Sequence, residues 1–547
     1  MTEYTMLSSL EKVLPCERVV RERDYDRTAA LLGERVSFQI NINSGKPWYR
    51  NTVKVSLSGE LAACTTIRLV KSVPADMPVY RDEHDDDIIT DRPTLIPDVL
   101  VPFEPGASLD AVYEQNRTLW FTIESGEETA AGKRELKVIF ESGEGRVEKV
   151  FSVEYINARL PKQQLRVTQW FHTDCIMTYY GLEAFSDEHF RRIRDFVKTA
   201  VKNGINMILT PIVTPPLDTE VGGERPTVQL VDMKYIGGSW SFGFEKLDRF
   251  IDICLECGVE YFEMAHLFTQ WGAHFTPKIV AQTEDGIKRI FGWDVASDSE
   301  EYAKFIGAFL PELTAYLKNK GIAGRTIFHV SDEPTAENIG SYKYCRALIE
   351  KYLDGFVIAD ALCDYRFYES GAVTKPIVAT DHVRPFIEHE VRGLWVYYCC
   401  AQKLGVSNRF MAMPSRRNRV IAAQFFKYDI EGFLQWGYNF YYSQYSKRPL
   451  DPFTETSADA AFPSGDSFSV YPAPDGVYES LRLVVFHEAL QDLSAFRLLE
   501  SYIGHDAVVK LIEDTAGMTV EFDKYPRSDE FILKLRARVN EEIKKRL

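Results

Sequence analysis

Between residues 186 and 330 the chain repeats one unit three times: an amphipathic helical stretch, a glycine, and a short apolar run. In the first unit Ser186 is placed to cap a helix with Asp187 and Glu188 in its first turn, and Phe190, Ile193, Val197, Ala200 and Val201 fall on one face. Gly204 ends it, and INMILTPI (205–212) follows, with Pro211 near the end where a ladder donor is dispensable. Phe244, Leu247, Ile251 and Leu255 lead in the same way to Gly258 and VEYFEMAH. Tyr302, Phe305, Phe309 and Leu313 lead to Gly321 and RTIFHV, with a kink expected at Pro311. Apolar runs without polar alternation are those of parallel strands covered on both faces. Leu165 to Phe171 precedes the repeat; FVIADAL, PIVAT, LWVYYCC and GFLQWGYN, starting at Phe356, Pro376, Leu394 and Gly432, bring the strand count to about eight. No GxGxxG follows any of them, so a closed TIM-like (β/α)8 barrel over residues 165–500 is expected rather than an open dinucleotide-binding sheet. The helical pattern from Ser480 to Leu499 would close it, and residues 501–547 read as charged, peripheral C-terminal helices packed on the barrel.

The first 157 residues have a different rhythm. Apolar residues alternate with period two at Val36, Phe38, Ile40 and Ile42, at Val53, Val55 and Leu57, at Leu119, Phe121 and Ile123, and at Leu136, Val138 and Phe140. That pattern predicts an N-terminal β-sandwich, separated from the barrel by the polar connector Asn157 to Gln164, which contains Pro161. The expected architecture is therefore multidomain, β followed by α/β, with a C-terminal helical segment. The acidic stretch Asp82 to Asp87 lacks EF-hand spacing and reads as a solvated loop.

A formal charge of −16 and a pI near 5.3 oppose a nucleic-acid or anionic-membrane surface, since phosphate binding relies on clustered Lys and Arg. A neutral partner fits better, and an aromatic content of 13% is compatible with stacking on sugar faces. The opening segment MTEYTMLSSLEKVLPCERVV has no basic region followed by an apolar run, and no segment offers about 18 uncharged apolar residues. A cytoplasmic protein is expected, and nine scattered cysteines fit reduced thiols. Cys254 and Cys257 fall inside a helical pattern with no second pair, so they read as buried thiols rather than half a zinc motif.

In a barrel the chemistry lies at the C-terminal ends of the strands. Those ends supply Trp170, His172 and Asp174, then Thr210, His266, and His329 with Asp332 and Glu333. Asp381, Tyr397, Tyr398, Trp436 and Asn439 follow. IFHVSDEP is the sharpest signal. It sets two acids side by side where a strand runs out, and Pro334 biases Glu333 toward extended conformations, so both carboxylates can face one pocket. Their repulsion would raise the proton affinity of one, as a general acid requires. Against this stands the plainer role of capping a helix that begins near Thr335. His329, Asp332 and Glu333 match no standard metal motif, so neither metal nor cofactor is expected.

Taken in order, RVSFQI, PDVLVPF, HVSDEP, LWVYYCC, GFLQWGYN and PSGDSFSVYPAPDGVYESLRL, with Asp492 in the helix after them, resemble glycoside hydrolase family 123 and the related proteins carrying the domain of unknown function 4091. The resemblance implies an exo-acting β-N-acetylgalactosaminidase-type enzyme that retains configuration through the substrate's own 2-acetamido group. It implies that Asp332 orients the acetamido nitrogen while Glu333 protonates the leaving oxygen and then deprotonates water. Trp436 would form an apolar floor under the sugar and Tyr397 would bind the acetamido carbonyl. His266 or Asn439 would bind ring hydroxyls, with Trp170 and His329 also in the substrate site. The partner would be a small oligosaccharide or glycoconjugate. Preference for galactosamine over glucosamine is implied by the resemblance alone. Two other readings stay open: direct displacement using Glu333 with a distant acid such as Glu263 or Asp381, and a carbohydrate-binding protein without turnover.

Overall fold

The computed structural model describes residues 1–547 except 20, 47–49 and 127. Eight short parallel strands close into a barrel: β1 (Arg166–Gln169), β2 (Met207–Thr210), β3 (Tyr261–Met264), β4 (Thr326–Phe328), β5 (Val357–Leu362), β6 (Lys375–Ala379), β7 (Trp395–Tyr397) and β8 (Gly432–Gln435). Strand β1 pairs with both β2 and β8, which completes the ring. Alternation divides each strand between two cores. Met207, Leu209, Ile327, Ala359, Ile377, Trp395 and Leu434 fill the interior. Ile208, Phe262, Val378, Val396 and Phe433 face the outer helices. A side chain at Gly432 would collide with the Trp395 ring, so only glycine admits that large interior residue here.

The helices follow their start and stop signals. Ser186 Oγ accepts from the His189 amide at 3.3 Å and opens the helix Asp187–Lys202. Helix Glu245–Cys257 ends at Gly258, whose φ of 95° is a conformation that other residues adopt at a cost. Cys254 and Cys257 lie within that helix, buried and half-buried. Pro311 sits inside the continuous helix Glu300–Asn319.

The N-terminal region forms two sheets that share one apolar core. Phe38 of one stacks on Phe151 of the other with ring centroids 4.0 Å apart. The seven-stranded sheet is not made of N-terminal residues alone. Its last two strands, Val477–Ser480 and Val470–Pro472, come from beyond the barrel strands, with Ser480 opposite Val99. The C-terminal helices are also less peripheral than their charge suggests. Helix Asp529–Lys544 buries Phe531, Ile532, Leu535, Val539 and Ile543, and Arg536 pairs with Glu34 at 2.6 Å. A further four-stranded sheet, between Asp232 and Phe291, has no counterpart in the sequence reading. Its strands Asp232–Ile236, Ser239–Gly243 and Gly286–Phe291 are largely exposed and lack the apolar runs that mark the barrel. No helix among the described residues is long and apolar enough to cross a membrane.

Candidate active site

Past the C-terminal ends of the barrel strands lies a cavity of about 230 Å³, lined by Trp170, Asp332, Glu333, Tyr397 and Trp436 together with Asp218 from the loop after β2. A larger cavity of about 790 Å³ lies between the N-terminal sheets and the C-terminal helices. Its buried charges are already paired: Arg536 with Glu34, and Arg419 with Glu488 and Asp492.

The acids leave β4 as a pair. Glu333 has φ of 43°, which corrects the expectation that Pro334 would hold it extended. A non-glycine residue in this region stores strain, on the order of 1–3 kcal/mol, and such strain clusters where geometry serves chemistry. Neither acid caps a helix: the 3-10 turn Ala336–Asn338 has Thr335 before it and no side-chain cap. Burial pushes both carboxyls above the ordinary carboxylate range. For Asp332 the neighbouring Glu333 adds to this, and for Glu333 the hydrogen bond from Tyr397 works the other way. Tyr397 Oη donates to Glu333 Oε1 at 2.5 Å, and Cys363 Sγ stands 3.3 Å from the same hydroxyl.

Beneath the pair is a buried ionic layer. Glu263 accepts from Thr168 Oγ1 at 2.5 Å, Trp170 Nε1 at 2.8 Å and His329 Nε2 at 2.6 Å. Asp360 Oδ1 lies 3.6 Å from His329 Nδ1, beyond hydrogen-bond length but well within reach of charge attraction. Burial disfavours charge on His329; Asp360 and Glu263 outweigh it and lift the imidazole to about 10, so His329 is a fixed cation under Asp332. Asp360 also accepts from the amides of Val330 and Ser331, at 2.9 and 3.2 Å, and from Tyr342 Oη. It thereby clamps the segment that carries the acids. His266 stacks on His329 with centroids 4.5 Å apart, and burial followed by that neighbouring charge holds it neutral. His266, His329 and Asp360 place donor atoms within 4.8 Å of one another. A cation there would meet a protonated imidazole and a carboxylate already engaged, so these residues do not fit a metal well.

His329 and His266 thus support the cavity from below and are not among its lining residues, and Asn439 is also outside it. Asn439 is fully buried, and its amide accepts from the His172 N–H at 2.9 Å and donates to the His172 carbonyl at 3.0 Å, so it serves the backbone rather than the cavity. His172 Nδ1 faces an Arg225 donor at 3.2 Å, so its Nε2 carries the proton and donates to the Trp436 carbonyl at 3.0 Å. Burial and then Arg225 depress His172 to about 4. The Trp436 ring is fixed by its Nε1, which donates to Asp466 at 2.8 Å. Burial raises Asp466 to about 6 even though Arg409 and Trp436 favour its charge, and burial likewise raises Asp218 to about 6. Both carboxyls therefore lose charge as pH falls through about 6. Wild-type tryptophan fluorescence is expected to titrate with a midpoint near that pH, with the Trp436 component gone in Asp466→Asn; an unchanged titration in that variant would remove Asp466 as its source.

Asp218, Asp466 and Trp271 escaped the sequence reading because they lie on loops, where no periodicity locates them. The one available signal for Asp466 was its place in the segment PSGDSFSVYP.

The sequence profile described as "Glycoside hydrolase 123, catalytic domain" matches residues 170–499. No curated protein matches the sequence. Among solved structures, a family 123 glycoside hydrolase from Clostridium perfringens, studied for glycolipid glycan hydrolysis, aligns over 100% of this chain and 98% of its own at 16% identity, with a TM-score of 0.73. Bacteroides uniformis β-glucuronidase 3 (10% identity, 89% of this chain and 52% of its own) has a TM-score of 0.29. A Rhizomucor miehei family 5 mannosidase (11% identity, 64% and 96%) has a TM-score of 0.30. Neither of these two is close enough in shape to bear on the site. With the profile covering more than half of its length, the chain belongs to glycoside hydrolase family 123.

Proposed function

We propose that the protein is an exo-acting, retaining glycosidase that removes a terminal β-linked N-acetylgalactosamine, or a closely related 2-acetamido sugar, with the acetamido oxygen as nucleophile. The observation that carries this reading is the adjacency of Asp332 and Glu333 on one cavity wall, with Glu333 shifted toward the protonated state that a general acid needs. Direct displacement needs two carboxyls facing each other across the sugar, about 5–5.5 Å apart in retaining enzymes. Neighbouring acids suit a different division of labour. Tyr397 donates to Oε1 of Glu333, which leaves Oε2 to carry the proton for the departing oxygen. Asp332 is the other member of the pair: the His329 cation favours its carboxylate against the effect of burial, and as the carboxylate it accepts the acetamido N–H and balances charge on the cyclised intermediate. Tyr397 reaches the acetamido group only by letting go of Glu333, and we assign it first to the acid.

Glu263 is fully committed inside the barrel, and Asp381 is bonded to His382 and Gln402 and is not among the cavity-lining residues. Asp218 does line the cavity, so it is the one candidate partner for direct displacement that keeps a rationale. Hydrolysis of 4-nitrophenyl β-N-acetylgalactosaminide, β-N-acetylglucosaminide and β-galactoside, each with and without a thiazoline mimic of the cyclised intermediate, separates the two mechanisms. We expect turnover of an acetamido substrate, blocked by the thiazoline, with the β-anomer as first product. Thiazoline-insensitive cleavage of the galactoside would sink the proposal.

We read the paired N-terminal sheets as a β-sandwich that braces the barrel, since two strands from residues 470–480 complete one of them. We place the enzyme in the cytoplasm, acting on small oligosaccharides. All nine cysteines are free, which suits a reducing compartment.

A further inference from the structure

The cavity holding the acids, about 230 Å³, is smaller than the roughly 300–1,000 Å³ typical of sites that engulf a drug-sized ligand. It has room for about one sugar ring, so the remainder of any larger substrate must lie across its mouth. What stands at the mouth is Trp271, in the loop after β3 and 39% exposed. A tryptophan normally buries such a ring.

Its exposure is enforced by the backbone. Trp271, Gly272 and Ala273 have φ of 59°, 114° and 56°, three successive residues in a region that bulky side chains avoid. A side chain at Gly272 would collide with Asn338. Asn338 in turn donates to the Trp271 carbonyl at 3.3 Å and meets His274 Nε2 at 2.8 Å. The Trp271 ring makes an edge-to-face contact with Tyr445, centroids 5.9 Å apart at 90°, and Tyr445 is itself left-handed with φ of 60°. The Tyr445 N–H donates to Asp218 at 3.2 Å. Most telling, the Trp271 N–H donates to the carbonyl of Asp332 at 3.0 Å, so the ring is fixed relative to the acid pair through one hydrogen bond.

We propose that Trp271, backed by Tyr445, is the platform on which the leaving-group saccharide stacks, and that this platform sets how strongly the enzyme favours a saccharide leaving group over a small one. Sugar C–H faces pack on aromatic rings, and among the described residues no Lys or Arg lines the cavity, so stacking rather than a cation would hold that saccharide. This assignment rests on the glycosidase reading above for the identity of the donor sugar, though not for the platform itself.

Two substrates with the same β-linked 2-acetamido donor test it, one a glycosyl fluoride and one a disaccharide with galactose as leaving group. Trp271→Ala should lower the ratio of kcat/KM for the disaccharide to that for the fluoride by about two- to tenfold, the range expected for loss of one stacking contact. Trp271→Phe should restore most of it. Equal losses on both substrates would mean that Trp271 acts through the Asp332 backbone, and would overturn the platform, as would no loss on either. Saturation-transfer NMR with lactose, which lacks the acetamido sugar, gives a readout independent of turnover. Lactose contact that depends on Trp271, in an enzyme that hydrolyses neither substrate, would refute the donor assignment and leave the platform standing. Lactose contact indifferent to Trp271→Ala would refute the platform.

Discussion

Glu333→Gln is expected to lower kcat on an unactivated 2-acetamido glycoside by about 10²- to 10⁴-fold, the usual range for loss of a general acid, with little change in KM. The loss should be smaller on a 4-nitrophenyl glycoside, whose leaving group departs with less protonation. Asp332→Asn should cost about 10²–10³-fold on both, because charge on the cyclised intermediate must be balanced whatever leaves. The pH profile distinguishes the two roles. Burial holds the Glu333 proton above the ordinary carboxylate range, so the acid form is present at low pH and is lost as pH rises through the shifted value. Wild-type kcat/KM therefore falls on the alkaline side. Glutamine has no proton to lose, and Glu333→Gln should show residual activity without that limb. Wild-type turnover of the unactivated substrate by Glu333→Gln would end the assignment.

Why the acids were legible while their surroundings were not follows from what each depends on. The eight strands announced themselves because a parallel strand buried on both faces is apolar along most of its length, and Gly204, Gly258 and Gly321 after the helices mark where three of them begin. Asp332 and Glu333 inherited their place from β4. The conformation of Glu333 did not follow, since the local preference set by Pro334 was overridden at the point where strain serves the site. Asn439 looked available because it stands just past β8, yet it is fully buried with its amide bonded to the His172 backbone. Which polar group is spent on the protein itself is a tertiary fact that one strand's sequence does not contain. The strands at 470–480 were missed for a related reason: they are short, and Val477–Ser480 joins the sheet through Thr94–Phe103, hundreds of residues away.

The loop after β2 shows how much of the site rests on buried charge, and it carries the second large effect. Arg225 and Asp174 are each 1% exposed and meet through two hydrogen bonds of 2.8 and 2.7 Å. The same guanidinium holds the Leu217 carbonyl at 3.0 Å, next to Asp218, and through His172 it fixes the Trp436 backbone. Burial opposes the charge on Arg225, and Asp174 reverses that balance. Asp174→Ala would therefore strand a buried cation, at a cost of about 3–5 kcal/mol. The thermal midpoint should drop and KM should rise, because both Leu217 and Trp436 line the cavity. Replacing both partners, Asp174→Leu with Arg225→Met, should cost less stability than Asp174→Ala, since no charge is left without its counterion. A double variant that melts below Asp174→Ala, or an Asp174→Ala protein that melts with wild type, would show that the pair is not what holds this loop.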